Sequence, residues 1–410
     1  MNVLLLNAGS STLKGTLIEP ASRQEIATGL ADWAGSTVSY QYVGPDGKTF
    51  SEGVHWKGHA QAVHRFLSDV FNREPRALAD HSQLAGVGHR IVHGGPFTAS
   101  VRITPDIRSR ISVLADLAPL HNPPSLATLS AAEEELPRVP HVAVFDTAFH
   151  STLPAEACTY PVPAEWTETW GIRRFGFHGL SYAYCATRAA EMLNRPLSEL
   201  KLVICHLGNG CSAAAVQGGR SIDTTMGFSP LEGLMMGTRS GSIDPSIVLY
   251  AQMRHGMSVE DVETTLNRES GLLGMTGISS DMRQVLSAAS QGQAKAKLAV
   301  AVYVHRVRQA IGALVATLGG CDALVFTAGV GEHATEIRKL VCSGLECMGL
   351  SLDPTANASG KPDADIAHRS SRGRILVIAT REDLTMLDEV MRLLDETTTD
   401  ATAATKGFAL

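Results

Sequence analysis

The hydrophobic pattern changes period along the chain in a repeating order. An apolar run at 3–6 stops at Asn7-Ala8-Gly9-Ser10-Ser11-Thr12 and then resumes, so residues 1–18 predict a β-hairpin turned by small polar residues. Residues 36–56 predict a second strand pair, turned at Gly44-Pro45-Asp46-Gly47. Helical spacing follows at 58–72, a strand at 85–93, and helices at 105–118 and 125–135, both entered through proline. Residues 141–146 form a short apolar strand ending on Asp146. Pro154, Pro161 and Pro163 punctuate a loop where a domain boundary is expected. The opening pattern then returns: an apolar run at 202–207, the turn Gly208-Asn209-Gly210, and a second run to Val216. Helices are predicted over 245–255, 258–268, 293–318, 333–346 and 383–394, and buried strands over 323–327 and 375–379. The Thr- and Ala-rich tail 397–410 is expected to be disordered.

Alternating strands and helices make this an α/β protein, and the returning hairpin predicts two related domains with a ligand cleft. A buried strand that turns on Asn, Gly and Ser offers backbone N–H groups and hydroxyls with little bulk, which is what a polyphosphate requires. Strands 142–146 and 323–327 deliver polar residues at their C-terminal ends, where ligands sit in open α/β sheets.

Length and composition narrow the class. At 410 residues the chain is too long for one ordinary core, so two domains are expected. A net charge of -6 argues against broad nucleic-acid or membrane-surface binding. Seven cysteines, odd in number and without a C-x-x-C pair, read as reduced thiols and neither a disulfide frame nor a zinc site. The opening carries no basic leader, and no unbroken apolar run reaches the ~18 residues that would cross a bilayer. A cytoplasmic protein is expected.

Two motifs are decoys. Gly44-Pro45-Asp46-Gly47-Lys48-Thr49 has the ending of a P-loop, but Tyr42 stands where the leading Gly belongs. Gly329-Val330-Gly331-Glu332-His333-Ala334 fits a dinucleotide fingerprint, but lies late in the chain, not at the first βα turn. Three Arg/His segments remain: His89-Arg90-Ile91-Val92-His93-Gly94-Gly95, Phe175-Gly176-Phe177-His178-Gly179 and Gly237-Thr238-Arg239-Ser240-Gly241. A single Arg or His is more often solvated or structurally satisfied than functional. Three such groups, each in a Gly-flanked loop, point instead to an anion whose charge grows during reaction. Among carboxylates, Asp146 and Glu382 read either as helix caps or as oxygen ligands for Mg²⁺ beside phosphates. No G-x-S-x-G elbow surrounds Ser240.

These residues carry a family resemblance. Asn7-Ala8-Gly9-Ser10-Ser11-Thr12-Leu13-Lys14 resembles the opening signature of the acetate kinases, and residues 226–241, Met-Gly-Phe-Ser-Pro-Leu-Glu-Gly-Leu-Met-Met-Gly-Thr-Arg-Ser-Gly, resemble the second. Further matches run in order through 89–95, 121–124, 145–150, 174–180, 206–210, 279–283 and 326–332, covering nearly the whole chain.

The resemblance implies two duplicated ribonuclease H-like domains of the actin/Hsp70 type with a nucleotide cleft between them. Their expected extents are 1–148, joined by a C-terminal helix at 384–396, and 149–383 with a dimer interface. It implies a homodimer that interconverts acetate and ATP with acetyl phosphate and ADP, using Mg²⁺ with Mn²⁺ as a substitute. It assigns metal binding to Asn7 and Glu382, and the acetate carboxylate to Arg90. Asp146 would orient reactants or metal, His178 would stabilise the phosphoryl group in flight, and Arg239 would bridge acetate and γ-phosphate. Val92, Leu120, Phe177 and Pro230 would surround the acetate methyl. Ser10, Thr12, Lys14, His206, Leu207, Gly208, Asn209, Gly210, Asp281, Met282, Arg283, Gly329, Val330, Gly331 and His333 would line the nucleotide.

Five positions depart from the family pattern. Thr12 replaces Ser, Gly15 a Phe, Ser242 an Asp and His333 an Asn, and Arg381 stands where a polar or acidic residue is usual. Propionate kinase is the alternative within the family. A non-catalytic actin/Hsp70-type nucleotide binder would not need Arg90, His178 and Arg239, and an NAD-dependent oxidoreductase would need the 329–334 loop as its dinucleotide site.

Overall fold

The computed structural model describes residues 1–396 except 34–37, 57, 117, 119 and 120. Leu120, expected at the acetate methyl, and the tail 397–410 lie outside the described residues. The chain divides into two compact units, one formed by Met1–Ala148 with the segment that begins at Arg381, the other by Phe149–Thr380.

The first unit contains strands β1 (Asn2–Ala8), β2 (Thr12–Glu19), β3 (Gln24–Asp32), β4 (Val38–Val43), β5 (Thr49–Val54), β6 (Leu84–Ile91), β7 (Val101–Arg102) and β8 (His141–Phe145). They form one sheet in the order β5-β4-β3-β2-β1-β6-β8-β7. From β1 to β5 neighbours are antiparallel, whereas β6 lies parallel to β1, and β8 parallel to β6. Val3–Leu6 are buried on both faces, as central parallel strands require. Leu4, Leu6 and Val87 share a core cluster with residues of the helices His59–Asn72 and Asn122–Glu135. On the alternate face, Gly88 lies against Val390 of the helix Glu382–Asp395 and against Leu5, each within 3 Å of where its Cβ would stand.

The second unit contains β9 (Lys201–Leu207), β10 (Cys211–Gln217), β11 (Arg220–Thr224), β12 (Ala323–Thr327), β13 (Ala364–Asp365) and β14 (Arg374–Val377), in the order β11-β10-β9-β12-β14-β13. The run β11-β10-β9-β12-β14 repeats β3-β2-β1-β6-β8: three antiparallel strands, then two parallel to the first. This repeat is the duplicated ribonuclease H-like order. Leu202 and Ile204 of β9 and Ala214 and Val216 of β10 pack against Tyr182, Cys185, Ala186 and Ala189 of the helix Gly179–Leu193.

Three local differences from the pattern have physical causes. The expected helix 333–346 is shorter, Thr335–Cys342, and the segment before it is not a plain loop but a separate short helix, Ala328–His333, the two being broken at Ala334. Strand β3 and the helix Gly179–Leu193 bury mainly Ala, Gly, Ser and Cys, so hydrophobic periodicity is faint there. The helix Ala294–Leu318 is long and apolar enough to cross a membrane by length and composition, although His305, Arg306 and Arg308 interrupt it. Its buried positions Ala296, Ala299, Val300, Tyr303, Val304, Val307, Ile311, Leu314 and Leu318 recur at three- and four-residue spacing, the pattern of a core helix.

Candidate functional site

In the first unit, three adjacent parallel strands deliver polar groups at their C-terminal ends. Asn7 lies near the end of β1, Arg90 on β6 opposite Val144 of β8, and Asp146 just beyond β8, its N–H bonded to the Ile91 carbonyl at 3.1 Å. Arg90 is their common partner. Its Nε donates to Asp146 Oδ1 at 2.8 Å and its Nη2 to Asp146 Oδ2 at 2.6 Å. Its Nη1 donates to Asn7 Oδ1 at 3.2 Å and lies 3.4 Å from Glu382 Oε2. Glu382 opens the helix Glu382–Asp395, where a carboxylate is favoured by the helix dipole. Burial alone would lower the Arg90 pKa, but the charges of Asp146 and then Glu382 outweigh it and hold the guanidinium protonated. Two carboxylates and the Asn7 side-chain oxygen thus meet on one guanidinium, leaving the group net negative, with Asp146 1 % exposed.

The β1–β2 turn is built tightly. Gly9 N–H donates to the Thr12 carbonyl at 2.9 Å, and a Cβ on Gly9 would lie 2.5 Å from Thr12 Oγ1. His59 Nε2 donates to the Gly9 carbonyl at 2.8 Å, and burial lowers its pKa. Ser10 and Lys14 are exposed beside this turn, and Val92 is half-buried beyond β6.

The second unit gathers a different set. His178 caps the helix Gly179–Leu193 with φ 59°, a left-handed conformation that non-glycine residues adopt at a cost of about 1–2 kcal/mol. Its Nδ1 bonds Ser212 Oγ at 2.8 Å, and Ser212 is in turn bonded by the Tyr182 hydroxyl. The imidazole stacks on His206 with 4.0 Å between centroids and 15° between planes. His206 faces Ser212 across β9 and β10, and its Nδ1 bonds Ser181 Oγ at 2.8 Å, which reaches Thr380 Oγ1 at 3.0 Å.

Arg239 comes from the loop after β11, and its Nη1 donates to the Pro230 carbonyl at 2.7 Å. Among the described residues it forms no ion pair, and burial lowers its pKa. A Cβ on Gly210 would stand 3.3 Å from Arg239 Nη2 and 3.4 Å from His178 Nε2. The glycine thus leaves open a point on which a cation and an imidazole nitrogen converge.

The remaining expected residues of this unit fall into three states. Phe177 is 1 % exposed, and its carbonyl accepts from His150 Nε2 at 3.0 Å. Leu207 and Met282 are buried, Gly208 and Asn209 complete the β9–β10 turn, and Asp281 caps the helix Met282–Ser290 while pairing with the exposed Arg283. Gly329, Val330 and Gly331 lie in the short helix Ala328–His333, which ends at exposed His333. A Cβ on Gly331 would meet Phe326 at 3.3 Å, whereas one on Gly329 would meet nothing within 4 Å. Protein packing therefore explains the glycine at 331 and does not explain that at 329, which faces open space.

No local pattern in the sequence assigns a role to several supporting groups, although Asn122 stands in the matched segment 121–124. Asn122 is fully buried and holds both the N–H and carbonyl of His93. Ser212, Tyr182 and Ser181 orient the two histidines, and Ser212 was traceable only through its register with His206. The departures are accommodated. Arg381 pairs with Asp383 at 2.6 Å and Glu25 at 3.0 Å. Ser242 accepts from the Gly233 N–H at 3.0 Å and donates its own N–H to the Gly233 carbonyl at 2.9 Å.

Comparison with known proteins agrees across the chain. The model of the acetokinase family matches residues 2–388. An acetate kinase of Gloeobacter violaceus is 48 % identical over 394 residues, covering 93 % of this chain and 97 % of its own. The crystal structure of Porphyromonas gingivalis acetate kinase has a TM-score of 0.88 at 35 % identity, over 96 % of this chain and 99 % of that one. A propionate kinase from Francisella tularensis has a TM-score of 0.89 at 38 % identity, over 96 % and 99 %.

Proposed function

The chain belongs to the acetokinase family, and from that premise we propose that it transfers the γ-phosphoryl group of ATP reversibly to acetate, giving acetyl phosphate and ADP. The observation that carries the chemistry is the convergence of Arg239 Nη2 and His178 Nε2 at Gly210, without a carboxylate paired to Arg239 among the described residues. A guanidinium held this way is a site for an anion.

Acetate is already ionised at neutral pH, so its oxygen attacks without a general base. The obstacle is the approach of one anion to another. Arg90 takes the carboxylate, Arg239 the γ-phosphoryl group, and His178 donates to the equatorial oxygens as charge spreads over them. Transfer then proceeds by positioning and electrostatics, with the oxygen–phosphorus bond to acetate forming as that to ADP breaks. Asp146 spends both oxygens on Arg90, which supports an orienting role.

The side-chain oxygens of Asn7 and Glu382, both beside Arg90 Nη1, are the oxygen donors that would hold a hard cation such as Mg²⁺, with Mn²⁺ as substitute. When bound, the metal supplies charge neutralisation on phosphate oxygens. Ser10, Thr12, Lys14, His206–Gly210 and Gly329–Gly331 are assigned to ATP, the open position at Gly329 supporting that assignment.

We also propose a homodimer formed through the helix Pro245–His255, which buries none of its residues and exposes Ile247, Leu249, Tyr250 and Met253. The cytoplasmic location expected from cysteine usage is part of the same proposal. Propionate is the second reading, favoured by the close likeness to a propionate kinase. Trapping the acyl phosphate with hydroxylamine, while acid and nucleotide are varied, tests the reaction. Acetate with ATP should yield acetyl hydroxamate; ATP hydrolysis without hydroxamate from any short-chain acid contradicts it.

A further inference from the structure

Arg338, on the helix Thr335–Cys342, is the bulkiest fully buried side chain among the described residues. Its Nη1 donates to the Gly331 carbonyl at 2.9 Å and the Glu332 carbonyl at 2.7 Å. Its Nε donates to Asn357 Oδ1 at 2.8 Å and its Nη2 to the Asn357 carbonyl at 3.1 Å. Asn357, 3 % exposed, is itself anchored through Nδ2 to the Thr335 carbonyl at 2.9 Å. Among the described residues no carboxylate pairs with Arg338.

A buried guanidinium without a counter-ion is costly, and a methionine would fill much the same volume without that cost. What methionine lacks is the ability to hold two consecutive carbonyls. Those carbonyls close the short helix Ala328–His333, which has only six residues and carries Gly329 and Gly331. Such a helix does not sustain itself, and its last carbonyls have no partner within it. Its other end is tied by Glu332, whose Oε1 accepts from the Ala328 N–H at 2.9 Å and the Thr380 N–H at 3.1 Å.

We propose that Arg338, oriented by Asn357, is the positioning residue of the nucleotide site. It fixes the carbonyls of Gly331 and Glu332 and thereby the backbone at Gly329. The inference rests on the assignment of Gly329–Gly331 to ATP.

The test compares KM for ATP and acetate, kcat, ADP binding by calorimetry, and amide exchange at 329–334 in Arg338→Met, Arg338→Lys, Asn357→Ala and Gly329→Val. Arg338→Met should raise KM for ATP and Kd for ADP about tenfold or more, with KM for acetate changed less than about twofold. Arg338→Lys should restore part of the loss, and Asn357→Ala should shift the nucleotide constants the same way with faster exchange over 329–334. Unchanged nucleotide constants in Arg338→Met, or an equal rise for ATP and acetate, overturn the proposal. If Arg338→Met does not fold, Asn357→Ala decides by the same criteria. Gly329→Val separates the two layers. If it leaves the nucleotide constants unaltered, the assignment of the loop fails; if it weakens ATP while Arg338→Met and Asn357→Ala do not, the positioning role alone fails.

Discussion

Arg90 grips Asp146 at two points, Nε to Oδ1 at 2.8 Å and Nη2 to Oδ2 at 2.6 Å, with the carboxylate 1 % exposed. The pair is therefore structural as well as chemical. Removing Arg90 leaves a buried carboxylate uncompensated, which costs about 3–5 kcal/mol. Arg90→Ala should lower both activity and the denaturation midpoint, and the double variant Arg90→Ala with Asp146→Ala should regain most of the stability while staying inactive. Equal stability of the single and double variants, measured by urea titration, contradicts this coupling.

A second prediction concerns pH. His150 donates from Nε2 to the Phe177 carbonyl, next to His178, and its Nδ1 accepts from Ser221 Oγ at 2.7 Å. Burial pushes its pKa down to about 4; the bond to Phe177 partly opposes this, and the charge of Arg174 adds to it. Between an unfolded value near 6.5 and about 4, the unfolded chain binds a proton that the folded one does not. This contribution is complete above pH 6.5 and is lost as pH falls toward 4, in total about 3 kcal/mol. Acidification should lower the urea midpoint more in the wild type than in His150→Gln. Parallel pH dependences would remove His150 from the acid limb.

The third prediction follows from the departure at Gly15. Gly15 pairs with Gly29 across β2 and β3, and a Cβ on either would lie within 2.4 Å of the Phe66 ring. Phe66 thus occupies the slot that the two glycines leave. Phe66→Ala should cost about 3–5 kcal/mol through the cavity it opens. Gly15→Phe alone should overpack the slot, and the two together should destabilise less than the sum of the singles. Strict additivity would show that the ring and the slot are not coupled.

What was legible in the sequence follows the chemistry of burial. Strands built from Val, Leu and Ile, such as 3–6, 202–207 and 323–327, announced themselves. Strand β3 did not, because its buried positions are Ala27, Gly29 and Ala31. Candidate reacting groups were legible because glycines stand near Arg90, His178 and Arg239 in the sequence, although Arg90 itself lies on β6 and not in the expected Gly-flanked loop. Their supports were not. Arg338 acts on backbone carbonyls, which every residue has, and Asn357 lies outside any motif. The Arg90–Asp146 grip depends on β6 and β8 being neighbours, a fact of sheet order that no local pattern encodes.

Acyl preference is the fourth prediction. An added methylene in an apolar pocket shifts discrimination by about 1–3 kcal/mol. Val92 at the predicted methyl pocket favours the smaller acid, so kcat/KM for acetate should exceed that for propionate by about tenfold or more. Propionate should remain a substrate. A higher kcat/KM for propionate reassigns the chain to the alternative reading.

The most direct test is the turnover of Arg239→Ala with acetate and ATP, read as acetyl hydroxamate and set beside its urea midpoint. Arg239 has no ion-pair partner among the described residues and one hydrogen bond, to the Pro230 carbonyl, so its loss should change stability by no more than about 1 kcal/mol. If Arg239 serves charge that develops in transfer, as proposed, kcat should fall by at least ~10³. A folded variant with near-wild-type kcat would contradict the assignment of Arg239 to the transferred phosphoryl group.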